Sequence, residues 1–145
     1  MNENYIIHRE LFRTICTKVI GEGSSRETYS SFVLPGHVVK VEDRAASFQN
    51  VIEWTVWQNV KTMPSVAKWF APCDWISPGG SILLMRKTTP VPDGSFPTKL
   101  PEFLTDFKPS NYGMYQGNFV CHDYGLLSVG TNFLSQRLVP VTWRD

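Results

Sequence analysis

The stretch "LTDFKPSNYGMYQGNFVCHDYG", residues 104–125, sets two carboxylates, Asp106 and Asp123, and an amide, Asn111, around Lys108. Carboxylate and amide oxygens are hard ligands. A metal–phosphate site needs such a crowd, and a solvated loop can hold it by accident. On the plainer reading, Asp106 and Asn111 are turn-formers beside Pro109, and Asp123 is a capping residue before Gly125. Two further features could serve the same chemistry. Gly21-Glu22-Gly23 would let backbone N–H groups approach phosphate oxygens, although such a turn is most often just a hairpin. Lys40, in the Val-rich run "VVKV", has a stem long enough to reach a phosphate, and Glu53 can hold it by an ion pair. An ordinary surface salt bridge is the alternative for that pair.

These groups need elements to position them. Residues 3–16 carry Ile6, Ile7, Leu11, Phe12 and Ile15 at near-helical spacing, which predicts a short amphipathic helix. "KVIGEGSSRETYSSFVL" reads as strand, glycine-bearing turn, strand. "PGHVVKVE" adds a turn at Pro35-Gly36 and a third strand around Lys40. The period then changes. Phe48, Ile52 and Val56 recur at helical spacing, as do Asn50, Glu53, Trp54 and Trp57, predicting a helix over 48–60. Ser47 is the expected N-cap, and Pro64 ends any extension. "CDWIS", "PGG" and "SILLM" predict a second hairpin. Pro90, Pro92, Pro97 and Pro101 make 88–101 a connector that cannot hold a long helix. "LPEFL" allows one or two helical turns, and "YGMY", "QGN" and "FVCHD" predict a third hairpin. Trp54, Trp57, Phe32 and Phe119 are expected in the core. The whole order predicts one α+β domain with an antiparallel sheet.

Composition narrows the classes. A chain of 145 residues fits one domain, and 42% hydrophobic against 19% charged residues excludes a disordered chain. A net charge of +1 gives no bulk electrostatic reason for nucleic acid or membrane as a partner. No apolar run is long enough to span a bilayer, and "MNENYIIHRELFRTI" is too charged for a secretory signal, so a cytoplasmic chain is expected. Cys16, Cys73 and Cys121 are few and far apart, which predicts reduced, buried thiols rather than disulfides or a zinc site. His8, His37 and His122 are scattered, and His122 is expected to be structural.

Asp106 to Asn111 has the spacing D-x-x-x-x-N, and Asp123-Tyr124-Gly125 follows it. With "IGEGSSRETY" and "VVKV" upstream in the same order, the chain resembles the protein kinase superfamily, in a short, truncated form of bacterial or phage type. The resemblance spans residues 19–125. It implies a kinase-like N-lobe over 1–87, with glycine loop, lysine strand and helix, and a minimal, truncated C-lobe over 88–145. Gly21, Gly23, Ser24 and Ser25 would cover the phosphates of ATP. Lys40 would pair with the α- and β-phosphates and with Glu53. Met85 to Thr88 would contact adenine. Asp106 would accept the proton of an attacking hydroxyl, Lys108 would neutralise the transferred phosphoryl group, and Asn111 and Asp123 would hold Mg²⁺. The activity implied is a minimal ATP- and Mg-dependent phosphotransferase acting on a protein or small-molecule hydroxyl. The alternative is a catalytically inactive, pseudokinase-like binding module that regulates or inhibits a partner protein.

The sequence also departs from the kinase pattern. Arg26 replaces the third glycine of the loop, where it could contact phosphate or point to solvent. Leu104-Thr105 stand where His-Arg usually precede the aspartate, which removes the usual partner of a phosphorylated activation loop. After Gly125, "LLSVGTNFLSQRLVPVTWRD" is too short for a peptide-docking lobe. A protein partner or a second copy is expected to cover the surface so exposed.

Overall fold

The structure is a computed structural model that describes residues 3–43, 47–127 and 130–144, with side chains from Ile6 onward. Its centre is a five-stranded antiparallel sheet formed by β1 (Lys18–Glu22), β2 (Arg26–Ser30), β3 (His37–Glu42), β4 (Cys73–Ile76) and β5 (Ile82–Arg86), in the order β1-β2-β3-β5-β4. Strand alternation divides β3 between two faces. Val39 and Val41 turn to one side, where Tyr29, Cys16, Ile82 and Leu84 join them. Helix α1 (Glu3–Ile15) touches this side, with the Phe12 ring edge-on to Tyr29 at 5.6 Å. Val38, Lys40 and Glu42 turn to the other side, against helix α2 (Gln49–Val60). There Val56 and Val60 bury themselves with Val38, Leu83 and Met85.

Helix α2 starts differently from the sequence expectation. Phe48, not Ser47, holds the N-cap position, and it does so in a left-handed conformation with φ 51° and no side-chain cap. The Glu42 carboxylate accepts the N–H groups of Gln49 (2.9 Å) and Asn50 (3.2 Å), and the Ser47 hydroxyl at 2.6 Å. A full negative charge at the positive end of a helix is a stronger cap than a hydroxyl, and it ties the helix to β3. Pro64 begins a further short helix, α3 (Pro64–Ala67), where a missing N–H is harmless.

The second half is stitched together by short ribbons. Of "LPEFL", which allows one or two helical turns, Leu100 and Pro101 belong to strand β6 (Lys99–Pro101), which pairs with β9 (Leu138–Pro140), and the rest closes a single turn from the Leu104 N–H to the Pro101 carbonyl at 3.0 Å. A 3₁₀ turn at Pro109–Asn111 leads into the hairpin of β7 (Tyr112–Tyr115) and β8 (Asn118–Cys121). One apolar cluster runs through both halves, from Val56 and Leu83 to Leu100, Leu104, Tyr112, Tyr124 and Phe133. Phe70 is its hinge pin: its ring lies 4.9 Å from Tyr124, 5.8 Å from Phe103 and 6.0 Å from Phe133. Trp143 closes the other end against Phe96, Tyr112 and Phe119, and its indole N–H donates to the Pro97 carbonyl at 2.9 Å. Trp54, Trp57 and Phe119 are half-buried against this cluster, whereas Phe32, expected inside, is 84% exposed. Among the described residues no helix is long and apolar enough to cross a membrane.

Candidate functional site

Lys40 faces α2 because it shares the pleat of Val38 and Glu42, and that orientation buries it. Its Nζ donates to Glu53 Oε1 at 2.9 Å, to Glu53 Oε2 at 3.2 Å and to the His122 carbonyl at 2.5 Å. Arg26 reaches the same carboxylate from β2. Nη1 donates to Glu53 Oε1 at 2.6 Å and to Asn50 Oδ1 at 3.0 Å. Nη2 donates to Glu53 Oε2 at 3.1 Å and to Asp123 Oδ1 at 3.0 Å. The Tyr124 N–H adds a fifth hydrogen bond to Glu53, at 2.8 Å. Glu53 is 0% exposed. Burial alone would raise its pKa, but the nearby charges of Lys40 and Arg26 overcome that and bring it down to about 2. Lys40, Arg26, Glu53 and Asp123 therefore form one ion-pair cluster, and the buried Glu42 carboxylate is close enough to act on Arg26 as well.

Asn50 locks the cluster to the sheet. Its Nδ2 donates to the carbonyls of Lys40 and Gly80, each at 3.0 Å, while its Oδ1 receives Arg26. Gly125 lets helix α2 lie flush on the Asp123–Gly125 segment. A Cβ there would stand 2.7 Å from Gln49 Cβ and 3.1 Å from its backbone, so the glycine is required by packing.

The end of β5 and the residues after it carry the positions expected to meet an adenine ring. Met85 is 0% exposed, with its side chain in the core, so only its backbone could do so. The Thr88 hydroxyl lies 2.7 Å from His122 Nδ1, and His122 Nε2 lies 2.7 Å from the Ser110 carbonyl. A carbonyl only accepts, so Nε2 carries the proton and Nδ1 accepts from Thr88. Burial lowers the His122 pKa, which keeps this ring neutral. His122 thus joins three segments through two side-chain bonds and one carbonyl.

The Asp106–Asn111 loop is anchored by Phe103 and Leu104, both buried. Asp106 is partly exposed, and its Oδ1 accepts from Arg144 Nη2 at 2.7 Å. Lys108 is exposed. Asn111 is buried, and its Nδ2 donates to the Asp106 carbonyl at 3.4 Å.

Two joined clefts gather most of these side chains. The larger, about 470 Å³, is lined by Gly21, Gly23, Arg26, Lys40, Thr88, His122 and Asp123, among others. A smaller one, about 220 Å³, is lined by Gly23, Ser24, Asp106, Lys108, Asn111 and Asp123, among others. Gly23 and Asp123 stand on both, which puts the border between the clefts at the glycine turn and the Asp-Tyr-Gly segment. Neither Gly21 nor Gly23 is demanded by the fold, since a Cβ on each would meet nothing nearer than 3.6 Å and 3.5 Å. Ser25 stands apart, with its hydroxyl 2.9 Å from that of Ser47. Arg26 is 8% exposed, which rules out the solvent-pointing alternative.

Three contributors escaped sequence reasoning. Asn50 carried a signal, because it lies on the helical face of Glu53. Gln49 lines both clefts, and Arg144 pairs with Asp106 from the end of the chain. Nothing in the local pattern around either points to the site.

The residues assigned by resemblance to Mg²⁺ are Asn111, which is buried, and Asp123, whose side chain is half-exposed; both line the smaller cleft. The Asp123 carboxylate already carries the Arg26 guanidinium, and among the described residues no three His, Cys, Asp or Glu side chains are grouped to hold a metal ion.

No protein-family model matches this chain, and no curated protein matches it. Among solved structures it is similar to the streptomycin-ATP-APH(2")-IIa ternary complex, at 14% identity and a TM-score of 0.39. The match covers 60% of this chain and 29% of that chain, so this chain spans under a third of the other's length.

Proposed function

We propose that this chain is a kinase-like, ATP-binding domain whose activity is phosphoryl transfer to a hydroxyl of a protein or small molecule. The observation that supports it best is the meeting of the glycine turn, Lys40 and the Asp106–Asn111–Asp123 set on two joined clefts. A cleft of about 470 Å³ is within the size range of small-molecule sites. The bare backbone of Gly21 and Gly23 leaves room along one wall for phosphates, and Lys40 and Arg26 supply positive charge below it. The nucleotide's terminal phosphate would then point towards the smaller cleft, where an acceptor hydroxyl would approach Asp106. The new P–O bond forms to that hydroxyl, the bond to the leaving diphosphate breaks, and the hydroxyl proton passes to Asp106. Lys108 lines the same cleft and would neutralise the moving phosphoryl group. A cytoplasmic location and a partner protein that presents the acceptor belong to the same reading.

A second reading is a kinase-like module that binds nucleotide and acts through a partner without turnover. Two ion pairs favour it. Arg26 engages Asp123, and Arg144 engages Asp106, so both carboxylates that chemistry would use are already paired.

Thermal denaturation and ATP consumption separate the readings. ATP at 100 times its Kd should stabilise the fold by about 2.7 kcal/mol. No stabilisation at any ATP concentration would refute both readings. Stabilisation with ATP consumption that Asp106→Ala abolishes supports transfer. Stabilisation without consumption, even with candidate acceptors present, supports the binding module.

A further inference from the structure

The guanidinium of Arg26 occupies the centre of the cluster that a divalent cation would otherwise join. It is held on three sides, by both oxygens of Glu53, by Asn50 Oδ1 and by Asp123 Oδ1. It comes from the glycine turn's own strand, and the turn is closed across it: the Gly23 N–H donates to the Arg26 carbonyl at 2.8 Å. A planar fork with fixed charge suits this position better than a flexible ammonium, because two parallel bonds to one carboxylate fix its direction. The pairing also reaches the carboxylate that a metal would need: Asp123, half-exposed at the cleft, holds Arg26 through Oδ1.

We infer that Arg26 is the resident cation of this site, so that the cleft takes the nucleotide's phosphates without a divalent metal and excludes that metal while Arg26 stays in place. The inference rests on the nucleotide-binding reading above and specifies its chemistry. Phosphates entering beside Gly21 and Gly23 would meet Lys40 and Arg26 directly rather than a metal bridge to Asp123. A divalent cation at Asp123 would compete with Arg26 for the same carboxylate, and taking Oδ1 would leave the buried guanidinium with one bond fewer.

Calorimetric titration of ATP into the whole chain, once in EDTA and once in excess Mg²⁺, tests this. The expected result is measurable binding in EDTA, with a Kd that changes by less than about fivefold on adding Mg²⁺, the lower end of ordinary coupling between two sites. Arg26→Gln replaces the guanidinium with a shorter, neutral amide and frees Asp123. In that variant Mg²⁺ should tighten ATP by more than this factor. Binding of the unaltered chain that needs Mg²⁺, or gains more than fivefold from it, overturns the inference and leaves the nucleotide reading standing. Absence of binding in both conditions overturns the nucleotide reading and this inference with it. If Arg26→Gln does not fold, the two titrations of the unaltered chain still decide.

Discussion

Two ion-pair systems in this molecule use the same kinds of side chain and live in different physical worlds. The Lys40–Glu53–Arg26 cluster lies between sheet and helix, with side chains 5%, 0% and 6% exposed. The Asp106–Arg144 pair lies at the rim of the second half, with side chains 38% and 64% exposed. In the first, desolvation is severe, and the cluster survives because each charge has several partners at fixed distances. In the second, water does most of the solvating and a single contact holds two long arms together. The first can position a ligand; the second can exchange it for one. A site that spans both has a rigid wall and an adjustable one.

The sharpest way to break the contrast is to remove the shared carboxylate. Glu53→Ala leaves Lys40 and Arg26 buried without their anion and should cost about 3–5 kcal/mol, read as a fall in the denaturant midpoint. A loss below about 1 kcal/mol, the scale of an exposed pair, would mean that the cluster is far wetter than its geometry indicates.

The same carboxylate gives the contrast a pH signature. Glu53 has a folded pKa of about 2, below its ordinary value of 4.5. Its contribution is therefore complete above the ordinary value and is lost as pH falls through the folded one. Acid unfolding followed by near-UV circular dichroism should show a steep loss of stability in that window. Glu53→Gln, less stable throughout, should lose that limb, and an unchanged acid limb in the variant would assign the transition to other carboxylates.

A smaller effect is expected where helix α2 meets the Asp-Tyr-Gly segment. Gly125→Ala pushes a methyl group against the Gln49 backbone and should destabilise by about 1–3 kcal/mol. Hydrogen exchange should then speed up at the start of α2, and a neutral substitution would mean that the two segments can part without consequence. The smallest effect belongs to the rim. Arg144→Ala should change stability by about 0–1 kcal/mol and leave ATP binding intact. A larger loss would show that Arg144 holds the Asp106 loop in place.

Much of this arrangement was legible along the chain. Alternation in "HVVKVE" and helical recurrence from Asn50 to Trp57 identified the strand and helix that carry Lys40 and Glu53, because period alone decides which side chains share a face. The hairpins announced themselves by their turn residues. What escaped were contacts between segments far apart in sequence. Glu42, not Ser47, caps α2, and the start of "LPEFL" joins a ribbon with residues 138–140 because its partner strand lies beyond any local window. Phe32 reads as core because its run reads as a strand, yet it lies just past the end of β2 and is exposed.

By itself, the sequence determined the inventory of chemistry: a glycine turn, a strand lysine, a helix glutamate and an Asp–Asn–Asp set in a fixed order. It determined the local elements as well, since propensity and period are properties of neighbouring residues. Only the tertiary structure decided which charge meets which. Arg26 could have faced phosphate, solvent or protein. It turned inward because Glu53, Asn50 and Asp123 offer it acceptors between sheet and helix, and β2 passes within reach of all three. Electrostatic pairing in a dry interior depends on distances of a few ångströms between remote segments, and no spacing along the chain encodes those distances.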